Sequence, residues 1–179
     1  MSLSAKQGGV LKGMAIGAAI TVVTIVVVIL KGPLVLSAEA PVGDRIAFAL
    51  KADAWLALWL GISVALLARH RFFTPEDIDG GGLTNATETA RVLQASLQNT
   101  LEQTVLAVLL HVAWAILMPA SWLAVIPAVV ILFLWGRVSF LRGYRGGAPS
   151  RALGFALTFY PSVLMLILVI VRSIENWFG

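Results

Sequence analysis

Five separate runs of this chain are each about as long and as apolar as a bilayer is thick, and this constrains its fold more than any other feature. A spanning helix needs about 20 predominantly apolar residues at 1.5 Å rise each. The runs extend from about Val10 to Leu30, Ala47 to Ala68, Ala90 to Leu117, Trp122 to Leu141 and Leu153 to Val171. With 59% of its 179 residues hydrophobic, 12% charged and a mean hydropathy of +0.92, the chain is far too apolar for a soluble domain. The reading is an all-α integral membrane helical bundle.

The first run follows Lys6 and Lys12, as a signal peptide would, but its Val/Ile core is longer than a typical secretory core, and "LSAEA" (Leu36 to Ala40) is a poor cleavage site. It is read as a retained helix. Gly13 and Gly17 within it form a GxxxG pair, which either admits a close neighbour or is simply tolerated in a membrane helix. Of the 13 Lys and Arg residues, nine (Lys6, Lys12, Arg69, Arg71, Arg91, Arg137, Arg142, Arg145 and Arg151) fall on the side of the N-terminus and four (Lys31, Arg45, Lys51 and Arg172) on the other. The positive-inside rule then predicts a cytoplasmic N-terminus and an outer C-terminus, in what reads as a bacterial inner (plasma) membrane. No basic block or aromatic-interleaved basic strip suits nucleic acid, so membrane lipid is the expected environment and nucleic acid is excluded as a partner. There are no cysteines, so any thiol chemistry must use a ligand's thiol.

The third run opens with unusual polarity, "RVLQASLQNTLEQT". At 100° per residue, with Arg91 at zero, Gln94 lies at about −60°, Gln98 at about −20°, Glu102 at about +20° and Asn99 at about +80°, one helical face. The amides alone are as consistent with interhelical hydrogen bonding as with a site. A carboxylate three turns into the run is expensive against lipid, so Glu102 is expected to face the bundle interior and meet arginines of neighbouring helices. In "GRVSFLRGYRGGAPSRALGF", Arg137 and Tyr144 stand seven residues apart on one face, and Pro149 opens the fifth helix with Arg151 close behind. Arg142 and Arg145 read as interfacial side chains reaching for lipid phosphate.

These two segments resemble the MAPEG family, the membrane-associated proteins in eicosanoid and glutathione metabolism. The resemblance is carried by Asn99 and Glu102 three residues apart and by Arg137, Tyr144 and Arg151 seven apart, over roughly Ala47 to the C-terminus. It implies a four-helix core at residues 46–179, preceded at 1–45 by an additional transmembrane helix and outer loop, as in a bacterial-type member. It further implies a homotrimer, with glutathione as co-substrate held between subunits near the cytoplasmic side. By that resemblance Asn99, Glu102 and Tyr144 hold and position glutathione and Arg151 stabilises its thiolate; Arg91, Gln98 and Arg137 join the ligand-binding set. Two departures remove ligand hydrogen bonds: Ala95 stands where many members have Arg, and Phe140 where some have Tyr.

The function expected is therefore a glutathione-dependent transferase or peroxidase acting on a lipophilic small molecule. The alternative is a non-catalytic membrane module that holds a lipid or amphipathic anion in the same cleft. "DIDGGGLTNATE" (Asp77 to Glu88) imitates an EF-hand loop, but Gly81 supplies no oxygen at position five and Thr84 replaces the apolar residue at position eight, so it reads as a flexible acidic loop able to act as a lid. His70 is read as part of the basic cluster and His111 as bonded to another helix; two such distant histidines give no metal pattern.

Overall fold

The computed structural model describes residues 3–178, which form five long helices. They are α1 (Ala5–Lys31), α2 (Val42–Phe73), α3 (Glu88–Leu117), α4 (Val125–Gly143) and α5 (Ala148–Phe178), with single 3₁₀ turns at Pro75–Asp77, Ala120–Trp122 and Tyr144–Gly146. All five helices are long and apolar enough to cross a membrane, and the chain is an integral membrane helical bundle.

Each helix outruns its apolar run because polar residues cap and extend it into the interface. Ser4 and Gln7 form a reciprocal capping box at the start of α1, and the Thr87 hydroxyl accepts the Ala90 N–H at the start of α3 (3.2 Å). The exception is α4, which begins at Val125 rather than Trp122. Pro119 opens the 3₁₀ turn before it, where the Trp122 carbonyl accepts the indole N–H of the fully buried Trp114 (3.0 Å). Between α4 and α5 the chain reverses at Gly147, whose φ of 83° lies in the region that favours glycine.

Successive helices alternate in direction, so the N-terminus, the α2–α3 loop and the α4–α5 turn share one end, termed here the loop end. The bond from Arg145 to the Thr89 hydroxyl (3.0 Å) ties the last two together. Packing joins α2 to α3, α4 to α5 and α1 to α5, with α3 against α5 and α2 against α4. Lipid is as apolar as leucine, so association depends on close contact rather than on escape from water. Small residues make that contact possible. A Cβ on Gly13 would lie 2.8 Å from the Ala152 Cβ, and one on Gly17 would overlap Ala156, so the GxxxG pair is a helix-packing seam. Gly136 and Gly154 do the same between α4 and α5, where a Cβ on Gly136 would meet the Gly154 carbonyl oxygen at 2.8 Å.

The bundle is chemically divided along its length. Away from the loop end its core is apolar, built from Ile25, Trp114, Leu123, Ile126 and Met165, with Leu56, Ala107, Val130 and Phe133 in the middle. One polar pair interrupts it, Asp53 of α2 bonded to His111 of α3 (2.5 Å), which bears out the interhelical bond expected of His111. Val22, Val23, Val27, Ile131, Ile167 and Ile170 are exposed on the outside of the bundle. Towards the loop end the buried polar side chains include Ser96, Thr100, Arg137, Thr158 and Asp77.

Candidate functional site

The buried guanidinium of Arg137 organises the loop end. It comes from α4, is 1% exposed, and holds two helices at once: Nη1 donates to Asn99 Oδ1 of α3 (2.8 Å) and Nη2 to the Thr158 hydroxyl of α5 (2.6 Å). Aromatic rings complete the enclosure, with Phe140 4.7 Å and Phe133 5.6 Å from the guanidinium carbon. Those two bonds and the surrounding rings offset part of the cost of enclosing the charge, while the buried Nε has no hydrogen-bond partner among the described residues. Arg137 is thus bonded to Asn99 and does not itself line the cavity beside it.

That cavity, about 500 Å³, lies between α1, α3, α4 and α5. Its polar wall is formed by Asn99, Tyr144 and Arg151, three of the residues singled out from sequence. The Arg151 guanidinium carbon sits 4.4 Å from the centre of the Tyr144 ring and 6.0 Å from that of Phe140, and Phe140 meets Tyr144 edge to face. Arg151 has no carboxylate partner among the described residues. The rest of the lining is largely apolar: Val10 and Met14 come from α1, and Phe155 and Phe159 continue the Arg151 face of α5. A stacked guanidinium without a carboxylate partner, beside a phenol and an amide in an otherwise apolar cavity, suits a ligand with an anionic head and an apolar body.

Arg91 and Gln98 are placed elsewhere. They line a second cavity of about 600 Å³ under the α2–α3 loop, with Arg71, Gln94 and Thr84. Ala95 borders both cavities. The helical wheel explains the split: Ala95, at about +40°, lies between the Arg91–Gln94–Gln98 edge and Asn99 at about +80°, so the face divides at the alanine. Glu102 lines neither. It is exposed, and its bond within the chain is from the Gln98 amide (3.0 Å). The guanidinium partner expected for it from a neighbouring helix is not supplied within the chain among the described residues.

The α2–α3 loop is tied to both of its helices at Asp77. Asp77, 1% exposed, accepts the Thr87 N–H (2.8 Å) and hydroxyl (2.6 Å) and a bond from the His70 Nε2 (2.9 Å). Those bonds, first the Thr87 hydroxyl, then its N–H, then His70, hold the Asp77 carboxyl below its ordinary pKa against the opposing effect of desolvation. His70, read from sequence as part of a basic cluster, instead joins this clasp, because Asp77 folds back one turn beneath it.

Sequence reasoning missed the apolar wall and Thr158. Phe155 and Phe159 follow Arg151 at steps of four, which a helix stacks on one face, so that half was accessible in principle. Val10 and Met14 were not, since nothing in α1 announces which neighbour the Gly13–Gly17 seam will meet. Compared with known proteins, residues 46–171 match the MAPEG family. No curated protein and no solved structure matches the chain.

Proposed function

Because this chain belongs to the MAPEG family, we propose that the cavity between α1, α3, α4 and α5, completed by a neighbouring subunit into the intersubunit cleft that the resemblance implies, binds glutathione and presents its thiolate to a lipophilic electrophile drawn from the bilayer. The supporting observation is Arg151, a guanidinium on the cavity wall without a carboxylate partner among the described residues, stacked on Tyr144 in a cavity also lined by the apolar Val10, Met14, Phe155 and Phe159. A thiol of pKa ~8.5 is mostly protonated at neutral pH, and a nearby guanidinium favours its ionised form. In a transferase step the sulfur lone pair forms the new C–S bond as the leaving group departs from the electrophile with the displaced electron pair; the thiol proton has already gone to solvent. Asn99, held by Arg137, and Tyr144 offer hydrogen bonds that orient the tripeptide.

The family's trimer completes the proposal. Glu102 and Gln98 are exposed on α3 beside Leu101, Val105 and Leu109, a face too polar for lipid at its loop end; a subunit interface there gives Glu102 a basic partner from the next subunit. In this reading the core is 46–179, with α1 as an added wall; the loop end is cytoplasmic, as the distribution of Lys and Arg favours, and the membrane is the bacterial inner one, as the resemblance to a bacterial-type member implies.

A second reading rests on Ala95. Where many family members place Arg, this chain has a methyl group on the rim of both cavities, which favours a site that retains an amphipathic anion or lipid without chemistry. Calorimetry of the detergent-purified protein with glutathione, followed by conjugation of an activated chloroarene by wild type and Arg151→Ala, separates the two. Glutathione binding with turnover that collapses in Arg151→Ala supports the enzyme. No heat and no Arg151-dependent turnover supports the binding module.

A further inference from the structure

The second cavity is built differently from the first. Arg71, from the last turn of α2, and Arg91, from the first turns of α3, enter it from opposite sides. Neither has a carboxylate partner among the described residues: Arg71 donates to Gln94 Oε1 (3.1 Å) and Arg91 to the Ala86 carbonyl (2.8 Å). The one carboxylate on the wall, Asp77, is bonded through both oxygens to Thr87 and His70. Two formal positive charges against one leave the cavity electropositive. The loop roofs it. Gly80, at φ 80°, folds the chain over Arg71, so that a Cβ there would lie 3.9 Å from the guanidinium carbon. The next residue, Gly81, lines the cavity, and its N–H donates to no protein acceptor among the described residues. Gln94, Gln98, Thr84 and Asn85 add neutral donors and acceptors.

We propose that this cavity is a second anion site, distinct from the Arg151 cleft, that recognises a phosphoester through Arg71 and Arg91 with the Gly81 N–H. Planar guanidinium forks pair with phosphate oxygens two bonds at a time, and a glycine-rich turn lets backbone N–H groups approach them closely. A volume of about 600 Å³ exceeds a bare phosphate, and the amides and hydroxyl of Gln94, Gln98, Asn85 and Thr84 suit the hydroxylated body of a phosphoester. Such a group arrives either as a lipid headgroup or as a soluble phosphoester; the chemistry recognised is the same.

The test uses the full chain purified in detergent and does not involve glutathione, so its outcome is independent of the function proposed above. Glycerol phosphate is titrated by calorimetry, and phosphatidic acid adducts are counted by native mass spectrometry against phosphatidylcholine. Saturable binding in either arm is expected, weakened at least tenfold in Arg71→Gln and Arg91→Gln and unchanged in Arg151→Ala. The lipid arm alone identifies a headgroup; the soluble arm identifies a free phosphoester. Arg69→Ala is the control, since it removes a charge from the same helix end but lines a different hollow, beside His70 and Phe73. Glutamine variants keep a hydrogen-bonding side chain, and their thermal melts verify folding. Absence of saturable binding in both arms overturns the proposal. So does equal weakening by Arg69→Ala, which marks diffuse attraction, or loss in Arg151→Ala, which places the ligand in the first cavity.

Discussion

Substituting Gly17 by alanine tests whether α1 is an integral wall of the cleft or a helix merely lying alongside. Gly17 is buried against Ala156, itself fully buried, and one added methyl group cannot fit without moving backbone. Restoring ordinary van der Waals distance requires the helices to part by about an ångström, which forfeits roughly a quarter to a half of the attraction across the seam. Overpacking of this kind costs about 1–3 kcal/mol. Val10 and Met14 ride on the same helix, so the wall they form retreats and the first cavity opens towards lipid. Gly61→Ala is the matched control: nothing lies within 4 Å of a Cβ there, and the gain in helix propensity makes it neutral or stabilising by up to about 1 kcal/mol.

The assay is thermal unfolding of both variants in one detergent, followed by ligand titration. At about 2–4 °C per kcal/mol for a chain of this size, Gly17→Ala is expected to melt about 2–12 °C below wild type while Gly61→Ala does not. Affinity for the cleft ligand falls in the first variant alone. Coincident melting curves for Gly17→Ala, Gly61→Ala and wild type would refute the reasoning, because they would mean that α1 is not seated on α5 through this seam.

Three further outcomes follow from particular contacts. Arg137→Lys keeps the charge but loses the fork that reaches Asn99 and Thr158 together, so at least one charge-assisted hydrogen bond goes; a loss of about 1.5–3 kcal/mol is expected in denaturant titration, and wild-type stability would contradict it. A double-mutant cycle on Asp53 and His111 (Asn and Phe substitutions) should give a coupling near the upper end of membrane values, about 1.5 kcal/mol, because both side chains are buried and one is a carboxylate; a coupling near the membrane mean of about 0.6 kcal/mol would show the pair to be ordinary helix glue. The Asp77 clasp depends on the ionised carboxylate. Its folded pKa lies below the unfolded one, so the stabilisation is complete above about pH 4 and disappears as pH falls through the folded value. Limited proteolysis between Pro75 and Thr87 should therefore accelerate at strongly acidic pH in wild type, whereas Asp77→Asn should be cleaved readily at neutral pH too; equal rates for the two proteins at pH 7 would remove the clasp from the account.

The spans were legible because the requirement for about 20 apolar residues is local and strict, and polar residues at their ends stretched them in the way caps do. The site was legible in composition but not in arrangement. Arg137 and Tyr144 share a helical face at seven residues' separation, yet the guanidinium turns inward to Asn99 and Thr158 while Tyr144, in the 3₁₀ turn beyond α4, stays at the cavity. Helical spacing fixes the direction of a Cβ; which neighbouring oxygen a long side chain reaches depends on helix packing that no single segment encodes. The polar face of α3 makes the same point more sharply. Asn99 and Glu102 differ by about 60° on the wheel, and that angle separates an amide captured by a buried arginine from a carboxylate left on the outside of the subunit. A desolvated guanidinium gains most from whichever oxygens its forked end can reach, and Arg137 commits one of its two Nη groups to Asn99 although its Nε stays unpaired among the described residues. Glu102, bonded among the described residues to Gln98 alone, is exposed on α3 three turns beyond Arg91, where lipid is a costly neighbour for a carboxylate, and it is this cost that the subunit interface proposed above removes.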